Sequence, residues 1–428
     1  MRKIPDWAIS KMPGARSPLA VASFTDDDVY KFRMAQLLFF RHRNRKVKFG
    51  FICRTKGVNL RKYIRLADLE AQIEVIRHIR ITEIELAYLR SLGEFKEEFL
   101  DFLRGIEELP PVKIWLVKKG FRIETEGPAP LVTFWETRIM RIIAQLYLEA
   151  KAAELGKTVE DLYAEGELRL LEKIEKVLAS SKNIYIIDFG TRRRATFVWH
   201  ERTLRILKER LGDQLVGTSN LELARRLGLK PIGTMAHEMD MVYQGIYFDE
   251  DRKAERLVSH EKMLDDWFDF YGDKFAVALP DTYGYEYFFK TFGAERGQNW
   301  KGMRHDSGPP KEFVYKHVLP FYKSIAVDSK TKSCVFSDGL RLGGELMLEL
   351  AELFTDLFAS LSFGVGTDIT NDLGIPALSI VMKVIASCGH WVGKLSGNIE
   401  KATGRKCAVK RLKRLTGYHE TFQEACTY

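Results

Sequence analysis

Ile184-Tyr185-Ile186-Ile187-Asp188-Phe189-Gly190-Thr191-Arg192-Arg193-Arg194 is a short apolar run that breaks into a polar tip containing a glycine. Such a run reads as a strand, and the glycine marks its end. The pattern recurs. Strand-like runs at Gln214 to Gly217, Phe275 to Leu279, Lys332 to Phe336 and Ser360 to Phe363 each end in a polar or glycine-rich tip. Helical segments lie between them, at Glu201 to Leu211, Ala254 to Tyr271 and Leu346 to Ala359. Strands alternating with helices at this spacing predict a parallel α/β fold. In a β/α barrel the tips gather at the C-terminal ends of the strands, where such folds keep their chemistry. No GxGxxG opens the region, which disfavours a Rossmann fold.

Outward from this core, Asp28-Val29-Tyr30-Lys31-Phe32 begins a helix, and Lys46 to Ile52 alternates as a half-exposed strand does. Ile64 to Phe102 is mostly helical by periodicity, Pro110-Pro111 stops it, and Val112 to Leu116 alternates again. Long amphipathic helices are predicted at Ile139 to Leu155 and Leu168 to Ala179. The alternating pattern returns around Ser379 to Ala386, before a basic run of Lys401, Arg405, Lys406, Lys410, Arg411, Lys413 and Arg414. The expected organisation is an N-terminal mixed α/β domain over residues 1–135, a barrel over 136–372, and a C-terminal segment over 373–428 that packs back on the first domain.

The 428 residues are 46% apolar and 29% charged, the balance of a globular protein able to bury a substantial core. The net charge of +9 fits a solubilising surface or sites for small polyanions. No aromatic-basic repeat or zinc-finger spacing supports a nucleic-acid surface, and a solvated face accounts for the basic run. Cys53, Cys334, Cys388, Cys407 and Cys426 are widely spaced and odd in number, and no CxxC occurs. Reduced thiols in a cytoplasmic protein are the expectation. With no apolar h-region before Ser17 and no run of about 18 apolar residues, neither a secretory signal nor a membrane span is expected.

The tips carry the chemistry. Gly233-Thr234-Met235-Ala236-His237-Glu238 follows a strand-like approach and precedes a helix-like stretch. Backbone N–H groups and the helix dipole favour phosphate at such a place, where an imidazole can take a phosphoryl group covalently. In Asp188 to Arg194 a guanidinium fork suits phosphate or carboxylate, and Arg192 is the one chosen because three successive arginines cannot share a direction. Gly217-Thr218-Ser219-Asn220 reads as a glycine-and-hydroxyl tip and an N-cap for Leu221 to Leu227. Asp281-Thr282 is an Asx-turn or part of a metal and ribose site. Arg304-His305-Asp306-Ser307-Gly308 combines a cation, a carboxylate and a hydroxyl, so that Asp306 could meet Mg²⁺ or ribose. Ser337-Asp338-Gly339 and Gly364-Val365-Gly366-Thr367 are anion nests after late strands. An ordinary turn explains any one tip; the ordered set points to phosphate handling.

Together, Asp28 to Lys31, Asp188 to Arg194, Gly217 to Asn220, Gly233 to Glu238, Arg304 to Gly308, Phe336 to Leu340 and Phe363 to Thr367 resemble the nicotinate phosphoribosyltransferase family over nearly the whole chain. The resemblance implies a type II phosphoribosyltransferase with an N-terminal α/β module and an irregular β/α barrel, working as a homodimer with shared active sites. It implies the joining of nicotinate to 5-phosphoribosyl 1-diphosphate, with nicotinate mononucleotide and diphosphate released, ATP hydrolysed and Mg²⁺ required: the first step from nicotinate toward NAD. By position, His237 is similar to the histidine that ATP phosphorylates. Tyr30 is similar to the aromatic that covers the pyridine ring from the neighbouring subunit, with Phe189 on its other face. Arg192 and Arg304 match residues near the nicotinate and ribose phosphate groups, and Thr234 a threonine beside the ring. Asp306 would lie by the ribose hydroxyls or Mg²⁺, and Gly339, Gly366 and Thr367 would hold the 5-phosphate.

Two positions depart from the family pattern: Pro309 stands where a second Asp is usual, and Asp27 where Thr is common. The nicotinamide-using relatives carry an acidic residue where Ser219 stands, and a carboxylate there would repel nicotinate. Quinolinate phosphoribosyltransferases are shorter and lack the histidine motif. A nonenzymatic nucleic-acid binder would need salt-sensitive binding that survives loss of Tyr30 and His237. Pro309 is the argument for an inactive descendant.

Overall fold

The computed structural model describes residues 18–396 and 402–418; Lys401 of the basic run, Cys426 and the residues through Ser17 lie outside them. Near the N-terminus, β1 (Lys46–Cys53), β2 (Val112–Val117) and β3 (Gly120–Pro128) form an antiparallel group with β3 in the middle. Val47, Phe49 and Phe51 point one way from β1 into the core, the period of two expected of a sheet with one covered face. The helix Val29–His42 has ten buried residues in succession from Val29 to Phe39 apart from Tyr30, so it is enclosed rather than amphipathic. The stretch read as one helical region, Ile64 to Phe102, is three helices at Leu66–Arg77, Glu83–Ser91 and Glu97–Arg104.

The second sheet is parallel throughout. It contains β4 (Tyr185–Asp188), β5 (Leu215–Thr218), β6 (Val277–Ala278), β7 (Gly302–His305), β8 (Ser333–Phe336) and β9 (Ser360–Val365). The spatial order is β5-β4-β9-β8-β7-β6, so the first strand pairs with the last. A parallel bridge from Thr218 to Pro231 extends the ladder beyond β5. Among the described residues no ladder joins the Pro231 edge to β6. The fold is therefore α/β, with six parallel strands covered by helices such as Phe197–Leu211 and Glu345–Phe354.

The chain then returns to the first sheet. β10 (Ile380–Ser387) runs antiparallel to β1 along most of its length, and β11 (His390–Trp391) caps that edge in the order β11-β10-β1-β3-β2. The 20-residue helix Trp135–Glu154 lies between the sheets, against both β10 and the Thr191–Arg193 turn. Its Trp135 is wholly buried and its indole N–H donates to Pro110 O at 2.7 Å. Burying a side chain of that size is worth about 2–3 kcal/mol.

Several boundaries move for local reasons. The helix expected from Leu168 begins at Val159, where Thr158 and Asp161 form a capping box. The helix expected from Ala254 to Tyr271 is broken by Glu255, which has a left-handed φ of 50°, into Phe248–Ala254 and Val258–Tyr271. Only Val277 and Ala278 of Phe275 to Leu279 pair as a strand, because Gly272–Phe275 is a 3₁₀ turn. The strand β7 is absent from the sequence reading. Its Gly302 has no side chain because a Cβ there would overlap the Ser333 carbonyl of β8. No helix among the described residues is long and apolar enough to cross a membrane.

Candidate active site

Each parallel strand delivers its tip to the same end of the sheet, and the tips divide into groups that support and groups that remain available. Asp188 at the end of β4 is wholly buried and spent on structure: it accepts from Gly190 N–H at 2.8 Å, from the Thr218 hydroxyl and from His200 Nε2 at 2.7 Å. The next residues diverge. Arg194 forks onto both oxygens of Asp26, at 2.7 and 2.6 Å, and Arg193 is directed to the Leu378 carbonyl. Arg192 keeps 40% of its side chain exposed and faces Tyr30, Glu136, Asp306 and Asp28. Burial lowers its affinity for the proton, but those four neighbours more than offset it and raise its pKa. It is the arginine of the three placed to meet an anionic ligand.

Phe189 turns across the end of β9. A Cβ at Gly364 would overlap Cδ2 of the Phe189 ring and come within 3.2 Å of Ser337 Cβ. The glycine therefore gives the ring its place. Tyr30 stands beside Gly233 of its own chain, where an added Cβ would lie 3.5 Å from Tyr30 Cβ. Thr234 of that loop is half-buried. Ser219 is 1% exposed and donates its hydroxyl to Asp28 at 2.6 Å. Asp28 is pushed up in pKa by burial and by Asp27, against the pull of Ser219 and Thr191. Asn220 accepts from Leu223 N–H at 3.0 Å, capping the short helix Leu221–Leu227.

The loop ends at His237, whose backbone carbonyl begins the helix Glu238–Ile246 by accepting from Met241 N–H. The imidazole is buried, and both ring nitrogens are engaged. Nδ1 lies 3.0 Å from Thr282 Oγ1; Nε2 lies 2.9 Å from Asp306 Oδ2 and 3.5 Å from Asp281 Oδ1. Lys394 Nζ stands 2.7 Å from the same Nε2 and 3.1 Å from Asp281 Oδ2. Burial lowers the His237 pKa most, Lys394 adds to it, and the carboxylates Asp281 and Asp306 oppose both; the net direction is down. For Asp306 burial works against the charge, yet the His237 bond and Arg304 prevail and hold it well below the usual carboxylate range. Ser337 donates to the other Asp306 oxygen at 3.0 Å, and Ser307 to Asp281 Oδ2 at 2.6 Å.

His237, Asp281 and Asp306 bring one ligand atom each within 4.8 Å of one another. Mg²⁺ takes oxygen in preference to nitrogen, so the two carboxylates fit it better than the imidazole does. Asp281 Oδ1 is buried without a hydrogen bond, an oxygen placed for such a cation. Arg304 is half-buried two residues before Asp306, and its Nε is without a hydrogen-bond partner. The β8 and β9 tips are joined where Leu342 N–H donates to Asp368 at 2.9 Å. Gly339 there has a φ of 65° and lies open to solvent, while Gly366 and Thr367 start the turn Thr367–Thr370. Pro309 precedes the turn Pro310–Glu312, and its carbonyl accepts from Phe313 N–H at 3.0 Å.

Beneath the loop runs a buried chain of charge. Lys31 is bonded to both Glu238 and Glu136, and Glu136 also accepts from Lys383 at 3.0 Å and faces Arg192 at 4.0 Å. Lys31, Glu136, Lys383 and Lys394 are absent from the sequence reading of the site.

A model of the nicotinate phosphoribosyltransferase (NAPRTase) family matches residues 184–420, and a model of its N-terminal domain matches 25–144. The nicotinate phosphoribosyltransferase of Xanthomonas campestris pv. campestris strain B100 is 34% identical over 390 residues, 90% of this chain and 93% of that protein. That of Herminiimonas arsenicoxydans is 33% identical over 391 residues, 91% and 95% of the two chains. The crystal structure of nicotinate phosphoribosyltransferase from Vibrio cholerae superposes with a TM-score of 0.83 at 28% identity, covering 95% of this chain and 96% of that one. The Porphyromonas gingivalis enzyme gives 0.80 at 27% identity, covering 92% and 99%. With both family models spanning most of its length and relatives at 34% identity covered almost end to end, the chain belongs to the nicotinate phosphoribosyltransferase family.

Proposed function

We propose that the chain joins nicotinate to 5-phosphoribosyl 1-diphosphate, with ATP hydrolysis coupled through a phosphohistidine at His237. The observation that carries this reading is the convergence on Nε2. The imidazole, bonded at Nδ1 to Thr282, has both Lys394 and Asp306 at its other nitrogen, at the start of a helix. The γ-phosphorus of ATP would bond to Nε2 while its bond to the ADP oxygen breaks. The phosphoryl oxygens would then meet the helix N-terminus and the Lys394 ammonium.

Phe189 and Tyr30 would stack the pyridine ring, and Arg192 would take its carboxylate as a fork. The loops carrying Gly339, Gly366 and Thr367 would hold the 5-phosphate, with Arg304 by the ribose. As the C1–diphosphate bond loosens toward an oxocarbenium-like ribose, the ring nitrogen attacks and the basic groups stabilise the departing diphosphate. Mg²⁺ held by Asp281 and Asp306 would neutralise diphosphate charge. The strand order, sequential around the sheet with β4 beside β9, supports an irregular barrel open between Pro231 and β6. We read the active assembly as a homodimer and its place as the cytoplasm.

The test is incubation with ATP labelled at the γ-phosphorus, followed by acid and alkaline quenching. An acid-labile, alkali-stable label on the wild type that is missing from His237→Asn supports the reading. Equal labelling of the two proteins would overturn it.

A further inference from the structure

The helix that His237 begins carries Gln244 seven residues on, two turns away and so on the same face. The side chain is wholly buried, and its carboxamide is turned to the backbone of Gly393. Nε2 donates to Gly393 O at 2.7 Å, and Oε1 accepts from Gly393 N–H at 3.1 Å. A backbone N–H only donates and a carbonyl only accepts, so one orientation of the amide satisfies both. The second Nε2 proton goes to Tyr283 Oη at 2.8 Å, and that hydroxyl donates to Asp240 O at 3.3 Å, on the helix of His237.

Gly393–Lys394 is a strand of two residues, paired antiparallel with Thr403–Gly404. Gln244 takes both polar groups of Gly393, as a further strand would. Lys394 is the next residue, and its Nζ reaches back to His237 Nε2. The lengths agree. Two helical turns are about 10 Å along the axis, which one residue of strand, about 3.3 Å, and an extended lysine side chain together span. On the far side of Lys394, Leu395 N–H donates to Thr282 O at 2.8 Å, so the lysine is mounted at two points. A separate contact docks β10 on the same helix: Ser387 donates to Val242 O at 2.7 Å, beside Gly245, where a Cβ would overlap the Ser387 carbonyl. A change at Gln244 keeps that contact and removes only the mount next to Lys394.

We propose that Gln244 is a positioning residue for Lys394: its carboxamide fixes the strand Gly393–Lys394 to the helix of His237 and so sets the cation beside Nε2. The effect on phosphoryl transfer rests on the reading of His237 as the phosphoryl acceptor; the placing of Lys394 does not. Met at this position keeps roughly the length and volume of Gln and lacks both halves of the clamp, leaving Gly393 N–H and O without that partner. Phosphoryl oxygens arriving at Nε2 would then meet a cation no longer held in place.

The experiment compares full-length wild type, Gln244→Met, Lys394→Gln and the double variant. Without nucleotide, acetic anhydride labels the lysines and peptide masses read each site. Lys394 and Lys383, 6% and 9% exposed, should both label slowly in the wild type. In Gln244→Met the labelling of Lys394 should rise severalfold while Lys383 on β10 stays slow. With ATP, Gln244→Met should slow His237 phosphorylation roughly tenfold, about the worth of one net hydrogen bond, and should add nothing in the Lys394→Gln background. A merely structural glutamine would slow both backgrounds equally. That result, unchanged labelling of Lys394, or a rise at both lysines would overturn the proposal. Wild-type protein that takes no phosphate would refute the phosphohistidine reading instead, and the labelling alone would then decide whether Gln244 holds Lys394.

Discussion

Lys394 Nζ lies 2.7 Å from His237 Nε2, although 157 residues separate them in the chain. The ammonium also bonds Asp281, so it answers the one buried carboxylate that the histidine does not bond directly. Through β10 and the strand that carries Lys394, Gly393–Lys394, the C-terminal segment supplies a cation to the His237 cluster at the end of the parallel sheet.

Replacing Lys394 by Gln should remove that cation without changing the length of the side chain greatly. Charge-assisted hydrogen bonds are worth about 2 kcal/mol, so the rate of His237 phosphorylation at low ATP should fall roughly thirtyfold. A phosphorylation time course under those conditions checks it. An unchanged rate would remove Lys394 from the site.

The lowered pKa of His237 sets a pH dependence. Phosphorylation needs the neutral ring, which prevails above the pKa; with burial and Lys394 pushing that value down, the acid limb should fall below the ordinary histidine value of about 6.5. In Lys394→Gln the opposing carboxylates remain while the repelling cation is gone, so the limb should move to higher pH. A rate profile from pH 5 to 8 on both proteins measures it, and a limb above pH 7 in the wild type would contradict the direction.

Gly364 makes room for the Phe189 ring. Gly364→Ala should displace that ring and weaken its stacking by about 1 kcal/mol, roughly a fivefold rise in KM for the pyridine substrate. KM for the phosphoribosyl donor should change much less. Steady-state kinetics varying each substrate separates the two, and equal rises would point to a general distortion.

Asp26 holds the N-terminal segment onto the β4 tip through Arg194 and through Arg141 at 3.2 Å. Burial disfavours its charge, but the two arginines prevail and set its pKa far below the carboxylate range. A depressed folded-state pKa stabilises above the unfolded value of about 3.9 and is lost as pH falls below it toward the folded value. Asp26→Asn should cost about 3–5 kcal/mol at neutral pH by stranding buried guanidinium groups. Urea unfolding at pH 7 and pH 3 should show the larger difference from wild type at pH 7. A variant as stable as wild type would mean that the arginines find other partners.

What could be read along the chain was local. The β4 tip, the His237 loop and the Asp306 tip each show their chemistry within a few residues, because a strand, a glycine and a polar side chain are enough to mark a site. β7 escaped because Gly302-Met303-Arg304-His305 lacks the β-branched run of its neighbours, its small first residue answering to Ser333 on the next strand. Lys31, Lys383 and Lys394 escaped for another reason. A lysine in sequence looks like a solvated charge, and only folding brings these against Glu238, Glu136 and His237. The same holds for His260, whose partner Asp240 lies 20 residues away.

The central claim is tested most directly by product formation with purified protein, phosphoribosyl diphosphate and Mg²⁺, comparing nicotinate with nicotinamide, each with and without ATP. Nicotinate mononucleotide appearing together with ADP, faster with ATP and scarce with nicotinamide, is the predicted result. Preference for nicotinamide, or turnover of nicotinate indifferent to ATP, would contradict the account.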